Sequence, residues 1–234
     1  MTSSNAAIAT TATAVTVVRP ARIVSDWVGA VGFGAFALLF PLTAGRFALL
    51  LLPPMLYELT VAVTFLVRGR ARRSLEGAGP RAAAYVATFW MPLVFWVMLR
   101  WAPNLVPAST SGALRTAGVS LWLFGSLVAF WPVWHLRRSF SIEPAARALS
   151  TDGPYRLARH PIYATQIFIY TGLFLLRASP VTGLALLVWL GVVRVRIGYE
   201  ERVLCAEYPE YELYRARVGA FGPWPRAHHA VPAH

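Results

Sequence analysis

Lysine is absent from this sequence, cysteine occurs once, and ten acidic residues face 22 basic ones, every one an arginine. The lone Cys205 excludes an internal disulfide and leaves the redox compartment open. No CxxC or Cys/His spacing suits a metal, so none is expected. There is no Walker loop, no HExxH and no convincing Ser/His/Asp set. Charged residues make up 14% of the chain, where a soluble domain has about 25%. The formal charge of +12 would suit nucleic acid. The arginines, however, lie between apolar runs rather than on a polar face, and no nucleic-acid partner is expected.

What is abundant is apolar sequence, at 57%. Six segments stand out, approximately 27–43, 47–67, 82–99, 116–136, 161–176 and 178–193. About 20 residues of helix cross a bilayer core. The second and fourth segments reach that length and the first and third nearly do. The fifth and sixth are short and separated by little more than Arg177, Ser179 and Pro180. They form either a hairpin that crosses twice or a re-entrant pair; the crossing reading is adopted. Pro53-Pro54 is expected to kink the second helix.

The arginines set the orientation. With the N-terminus inside, eighteen arginines fall on inner stretches and four (Arg46, Arg100, Arg115 and Arg177) on outer ones, which the positive-inside rule selects. Arg19, Arg22, Arg68, Arg70 and Arg226 count among the inner ones. Trp27, Trp131 and Trp134 then fall near inner helix ends and Trp101 near an outer one, as interfacial aromatics should. The expected architecture is an all-α, polytopic membrane bundle of five or six transmembrane helices. A mobile tail (1–22, of which 1–18 lack a signal peptide's early charge and cleavage site), four helices (23–136), a polar region with a membrane hairpin (137–224) and a second tail (225–234) divide the chain. Both termini would be cytoplasmic, in a membrane such as the bacterial inner membrane.

Two polar stretches could hold chemistry. The first runs from Arg137 to Tyr163. Thr151-Asp152-Gly153-Pro154 reads as a turn, and Pro161 suits the first turn of a helix. His160 would sit at that helix's N-terminus, where free N–H groups can receive a carboxylate or another acceptor. The second runs from Arg194 to Tyr214. Arg196 and Glu200 are four apart, on one helix face, and Glu200-Glu201 is an acidic pair in a basic surface. By spacing alone the pair could equally neutralise Arg196 and Arg202. Glu58 stands inside an apolar segment, where a carboxylate needs a partner or a role; structural pairing and substrate lining both remain open. His135 reads as an interfacial residue, His228 and His229 as tail, and the tyrosines at 208–214 as packing.

Together Gly153-Pro154-Tyr155, Arg159-His160-Pro161-Ile162-Tyr163, the hairpin, and Arg196 to Glu201 followed by Leu204, Tyr208, Tyr211 and Tyr214 resemble the isoprenylcysteine carboxyl methyltransferase family. That family belongs to a wider group with phospholipid methyltransferases. The resemblance covers about 137–224. Ala164 stands where a glycine is common, and Tyr208-Pro209 replaces Phe-Gly with a spacing one residue short.

The resemblance implies S-adenosyl-L-methionine as cofactor, in a cytoplasmic pocket of Leu149, Tyr155, His160, Tyr163 and Glu200. Tyr155 and Tyr163 would offer aromatic faces, and Glu200 would face the cofactor's positive end. Arg196 would clamp an anionic acceptor through its guanidinium fork, and Glu201 or His160 would serve as base if the acceptor is an amine. The expected reaction is methyl transfer to a carboxylate of a small or lipophilic acceptor. A phospholipid amine, a thiol, and a non-catalytic scaffold or channel are the alternatives. The soluble methyltransferase fold is excluded, because Gly29, Gly32 and Gly34 lie in an apolar helix and suit close helix packing.

Overall fold

The computed structural model describes residues 15–17, 23–42, 52–67, 69, 71–75, 77–105 and 107–223. Arg19, Arg22, Arg46, Arg68, Arg70, Arg226, His228, His229 and the tail at 225–234 lie outside the described residues. So does most of the 1–22 tail, although a strand, β1 (Val15–Val17), falls within it.

Seven helices follow among the described residues: α1 (Ile23–Leu42), α2 (Leu52–Val67), α3 (Ala78–Trp101), α4 (Gly112–Leu136), α5 (Pro161–Leu176), α6 (Pro180–Glu207) and α7 (Tyr211–Arg217). Three of them, α3, α4 and α6, are long and apolar enough to cross a membrane, whereas α1, α2 and α5 supply shorter apolar stretches. The outward faces are apolar: Leu38, Leu66, Leu127, Leu184 and Leu187 are all more than 60% exposed. Such a surface fits lipid rather than water. Trp27, Trp101, Trp131 and Trp134 are exposed as well.

The expected helix of 47–67 is described from Leu52. Pro53 and Pro54 lie in the first described turn of α2, and residues 47–51 of the expected segment lie outside the described residues. Pro92 and Pro132 lie inside helices, in α3 and α4. The segment expected to end at 193 does not stop there. α6 runs 28 residues to Glu207, about 42 Å at 1.5 Å per residue. The apolar hairpin arm and the polar block beyond it are one continuous helix. Ser179 caps it with a reciprocal capping box to Thr182. α5, at 16 residues, is only about 24 Å long.

Departing from an all-α chain, β1, β2 (Arg73–Leu75) and β3 (Ala145–Ala146) form a small antiparallel sheet in the order β1-β2-β3. It ties the stretch after α2 to the stretch after α4. The α4–α5 pair approaches most closely. A Cβ on Gly172 would lie 2.6 Å from the Gly118 carbonyl oxygen and from the Trp122 nitrogen, so only glycine fits there. α3 and α6 are joined by indoles: Trp90 Nε1 donates to Ala185 O at 3.0 Å and Trp189 Nε1 to Ala87 O at 2.9 Å. These bonds use polar groups that lipid could not satisfy.

Candidate functional site

The polar residues expected from the sequence gather where α5 begins and α6 passes. Tyr163, in the first turn of α5, donates its hydroxyl to Glu200 Oε1 at 2.6 Å. Arg196 Nε donates to the same oxygen at 2.9 Å. Glu200 Oε2 stands 3.7 Å from His160 Nδ1, while His160 Nε2 lies 3.1 Å from Glu201 Oε1. His160 thus bridges the two glutamates. The two blocks, separated in sequence by the hairpin, are one constellation in space.

Several expected roles are redistributed by the hydrogen bonds. Arg196 was expected to hold its fork open for an anionic acceptor. Instead its remaining donors meet Ala84 O, Thr88 Oγ1, Ser141 O and Ile142 O at 2.8–3.3 Å. The guanidinium is 5% exposed as a residue and pins α6 to α3 and to the strap after α4. All five N–H groups are used, so none is left for a ligand.

Glu201 was expected as a base. One oxygen of its carboxylate, Oε1, is gripped by Arg159 Nε at 2.9 Å and Nη2 at 2.8 Å, in a charge-assisted pair. It does not line the cleft described below. Arg159, unassigned from the sequence, also donates to the Arg215 and Val218 carbonyls. The backbone N–H groups of Arg159 and His160 meet Gly219 O and Ala220 O, both at 2.9 Å. The chain's own C-terminal segment therefore occupies the N–H groups of the cap residue His160 and of Arg159 before it.

Tyr155 sits in a 3-10 turn, Gly153–Arg156. Gly153 has φ +53, and a Cβ there would strike the His135 ring at 2.8 Å. His135, at the end of α4, meets Asp152 Oδ1 at 2.9 Å, and that hydrogen bond holds the Asp152 carboxyl below its usual range. His135 therefore fixes the turn that presents Tyr155. Burial first, and the Glu200 charge second, push the Tyr155 phenol well above its usual pKa, so it stays neutral. The Tyr163 ring is already flanked, by the Arg196 guanidinium at 5.4 Å and the His160 ring at 5.8 Å. Tyr208 and Tyr214 donate to Arg147 O and Tyr155 O, tethering the α6–α7 corner. Glu58, on α2, keeps one buried oxygen with no hydrogen-bond partner among the described residues.

Leu149, Tyr155, His160, Tyr163, Arg196 and Glu200 border one cleft of about 1130 Å³, open mouth included. One end is polar and holds Leu149, Tyr155, His160, Glu200 and Tyr211; the other lies between apolar helices at Phe33, Tyr57 and Val61. Two lining residues were missed from the sequence. Arg147 Nη1 and the Tyr211 hydroxyl are both buried and have no hydrogen-bond partner among the described residues. Arg147 Nε is held by Gly69 O at 2.9 Å. Burial lowers its pKa to about 10, with Glu143 opposing, so it remains a cation at neutral pH. Among the tally of inner arginines nothing set Arg147 apart, because its burial depends on the sheet that ties down the strap.

The fold and cleft define a helical protein whose polar site opens between membrane-type helices. Residues 114–211, less than half of the chain, match the phospholipid methyltransferase family. The matched segment contains every expected site residue, from Leu149 to Glu201. An uncharacterized protein of Schizosaccharomyces pombe is 29% identical over 93 residues, 37% of this chain and 27% of the relative. The cobalt-zinc-cadmium resistance protein CzcN of Cupriavidus metallidurans is 36% identical over 76 residues, 32% of this chain and 35% of the relative. The matched stretches thus span about a third or less of these curated relatives.

Proposed function

We propose that the protein is a membrane-embedded methyltransferase that uses S-adenosyl-L-methionine and methylates a lipophilic acceptor, with a carboxylate as the first choice. The observation that supports it most is the cleft itself. Its polar end holds two buried donors without hydrogen-bond partners among the described residues, and apolar residues of α1 and α2 line its other end. Unpaired buried donors are costly unless a ligand meets them, and a zwitterionic cofactor fits them. Arg147 and Tyr211 would take its carboxylate, Glu200 its positive charge, and Leu149 and Tyr155 its flat face.

Bound there, the cofactor supplies an electrophilic methyl group on a sulfonium. The chain's own residues bind, orient and exclude water. A carboxylate acceptor, already ionised at pH 7, would form the new C–O bond with its own lone pair as the methyl–sulfur bond breaks and a neutral thioether leaves, so no proton has to be removed. Positioning then supplies most of the rate. The match to the phospholipid methyltransferase family favours a second reading, a phospholipid amine. That acceptor needs a base, and with Glu201 held by Arg159, His160 beside Glu200 is the nearest candidate.

The arginine distribution supports placing the polar end of the cleft and both termini in the cytoplasm, in a cell (inner) membrane. Reporter fusions after Arg73, Arg138 and His234 should all report cytoplasm. The central experiment is calorimetric titration of the purified protein with S-adenosylmethionine and S-adenosylhomocysteine, followed by transfer of labelled methyl to lipid extracts. Wild-type protein that binds neither compound would turn the assignment to a non-catalytic scaffold.

A further inference from the structure

The apolar end of the cleft contains one polar pair that the methyl-transfer chemistry does not use. Gln166, on α5, donates from Nε2 to the Tyr57 hydroxyl on α2 at 3.2 Å. Both residues line the cleft, and Tyr57 is 5% exposed. That bond leaves three capacities unmet among the described residues: the Tyr57 O–H proton, the second Gln166 N–H, and the Gln166 carbonyl. Phe33 and Val61, which line the same cleft, are apolar, and Glu58, the next residue on α2, lies near enough to Tyr57 to act on it through its charge. In an apolar setting such groups are retained when something meets them. They are also neutral, so they suit hydrogen bonding rather than charge recognition.

Their position gives a distance. Gln166 follows Tyr163 by three residues on α5, about 4.5 Å farther along the helix axis. Tyr163 holds Glu200 at the polar end. A group reaching Tyr57 and Gln166 therefore lies one helical turn beyond the polar constellation, on the lipid side.

Building on the reading above, we infer that Tyr57 and Gln166 select the acceptor. It is a single lipophilic molecule with an uncharged hydrogen-bonding group, such as an amide, set back roughly one helical turn from the carboxylate that is methylated. A donor–acceptor group of that kind meets both the Tyr57 proton and the Gln166 amide. A plain fatty acid has only methylenes at that depth and leaves them unmet.

The test uses N-palmitoylglycine, with an amide set back from its carboxylate, and palmitate, without one. Each is titrated into the full-length protein in detergent, with and without S-adenosylhomocysteine. Wild-type protein should bind N-palmitoylglycine at least about tenfold more tightly than palmitate, since a site built to hydrogen-bond rejects an analogue that leaves its groups unpaired. Tyr57→Phe keeps the ring and Gln166→Leu keeps the volume. Each should lose most of that preference while S-adenosylhomocysteine affinity stays unchanged, which also shows that the variant is folded. Equal wild-type affinity for the two probes, no binding of N-palmitoylglycine, or a preference that survives both substitutions overturns the inference. Failure of wild-type protein to bind S-adenosylhomocysteine instead overturns the methyltransferase reading, so the two failures are distinct.

Discussion

The Tyr163 hydroxyl donates to the Glu200 carboxylate at 2.6 Å across 37 residues of sequence. It joins the first turn of α5 to the polar stretch of α6, and Arg196 shares the same carboxylate oxygen. One Glu200 oxygen is thereby committed, and the other stands beside His160 in the cleft. That division makes Glu200 both a brace and a charged wall.

The charged wall predicts a selective effect of Glu200→Gln. The amide keeps the shape but removes the negative charge. Affinity for S-adenosylmethionine, a sulfonium cation, should fall by about tenfold or more. Affinity for S-adenosylhomocysteine, whose sulfur is neutral, should fall less. Titration calorimetry with both compounds checks this. Equal losses would mean that Glu200 acts only through the fold.

Arg196→Lys should behave as a fold lesion. Five donors become three, and an ammonium cannot span the α3 carbonyl, the Thr88 hydroxyl and the strap carbonyls together. Each lost net hydrogen bond costs about 1 kcal/mol. Melting in detergent should drop by several degrees, with weaker cofactor and acceptor binding following from it. An unchanged melt with a selective loss of acceptor affinity would return Arg196 to the role of acceptor clamp.

Glu201→Gln leaves the buried Arg159 without its counter-charge. Breaking one partner of a buried pair typically costs about 3–5 kcal/mol. Arg159 also holds the Arg215 and Val218 carbonyls, so loosening should begin in residues 215–220. Hydrogen exchange resolves this region. A variant that keeps native protection there yet loses all turnover would make Glu201 a catalytic base after all.

Tyr211→Phe removes a buried hydroxyl that has no hydrogen-bond partner among the described residues. The melting temperature without ligand should hold or rise, because an unsatisfied polar group is deleted. S-adenosylhomocysteine affinity should fall several-fold, and the melting shift on adding it should shrink. A lower ligand-free melt with normal cofactor affinity would assign the hydroxyl a structural partner instead.

Much of this molecule is determined by sequence alone. Helical runs of apolar residues have to bury their backbone polar groups within themselves, so the positions of α1 to α6 follow from composition and spacing. Pro161 and Ser179 mark where α5 and α6 begin, through a missing N–H and a side-chain cap. The order of the two polar blocks around the hairpin was likewise legible, and with it the residues that would meet. Tertiary structure decided what those residues do. Whether a guanidinium is a clamp or a bolt depends on which carbonyls surround it. Ala84, Thr88, Ser141 and Ile142 come to Arg196 from elements 54 to 112 residues away. The spare donor of Arg147 has the same origin. Its neighbours are set by the β2–β3 pairing and by Tyr208, contacts that no local pattern encodes. Sequence therefore selects the candidates, and the long-range hydrogen bonds determine which of them still has a hand free for a ligand.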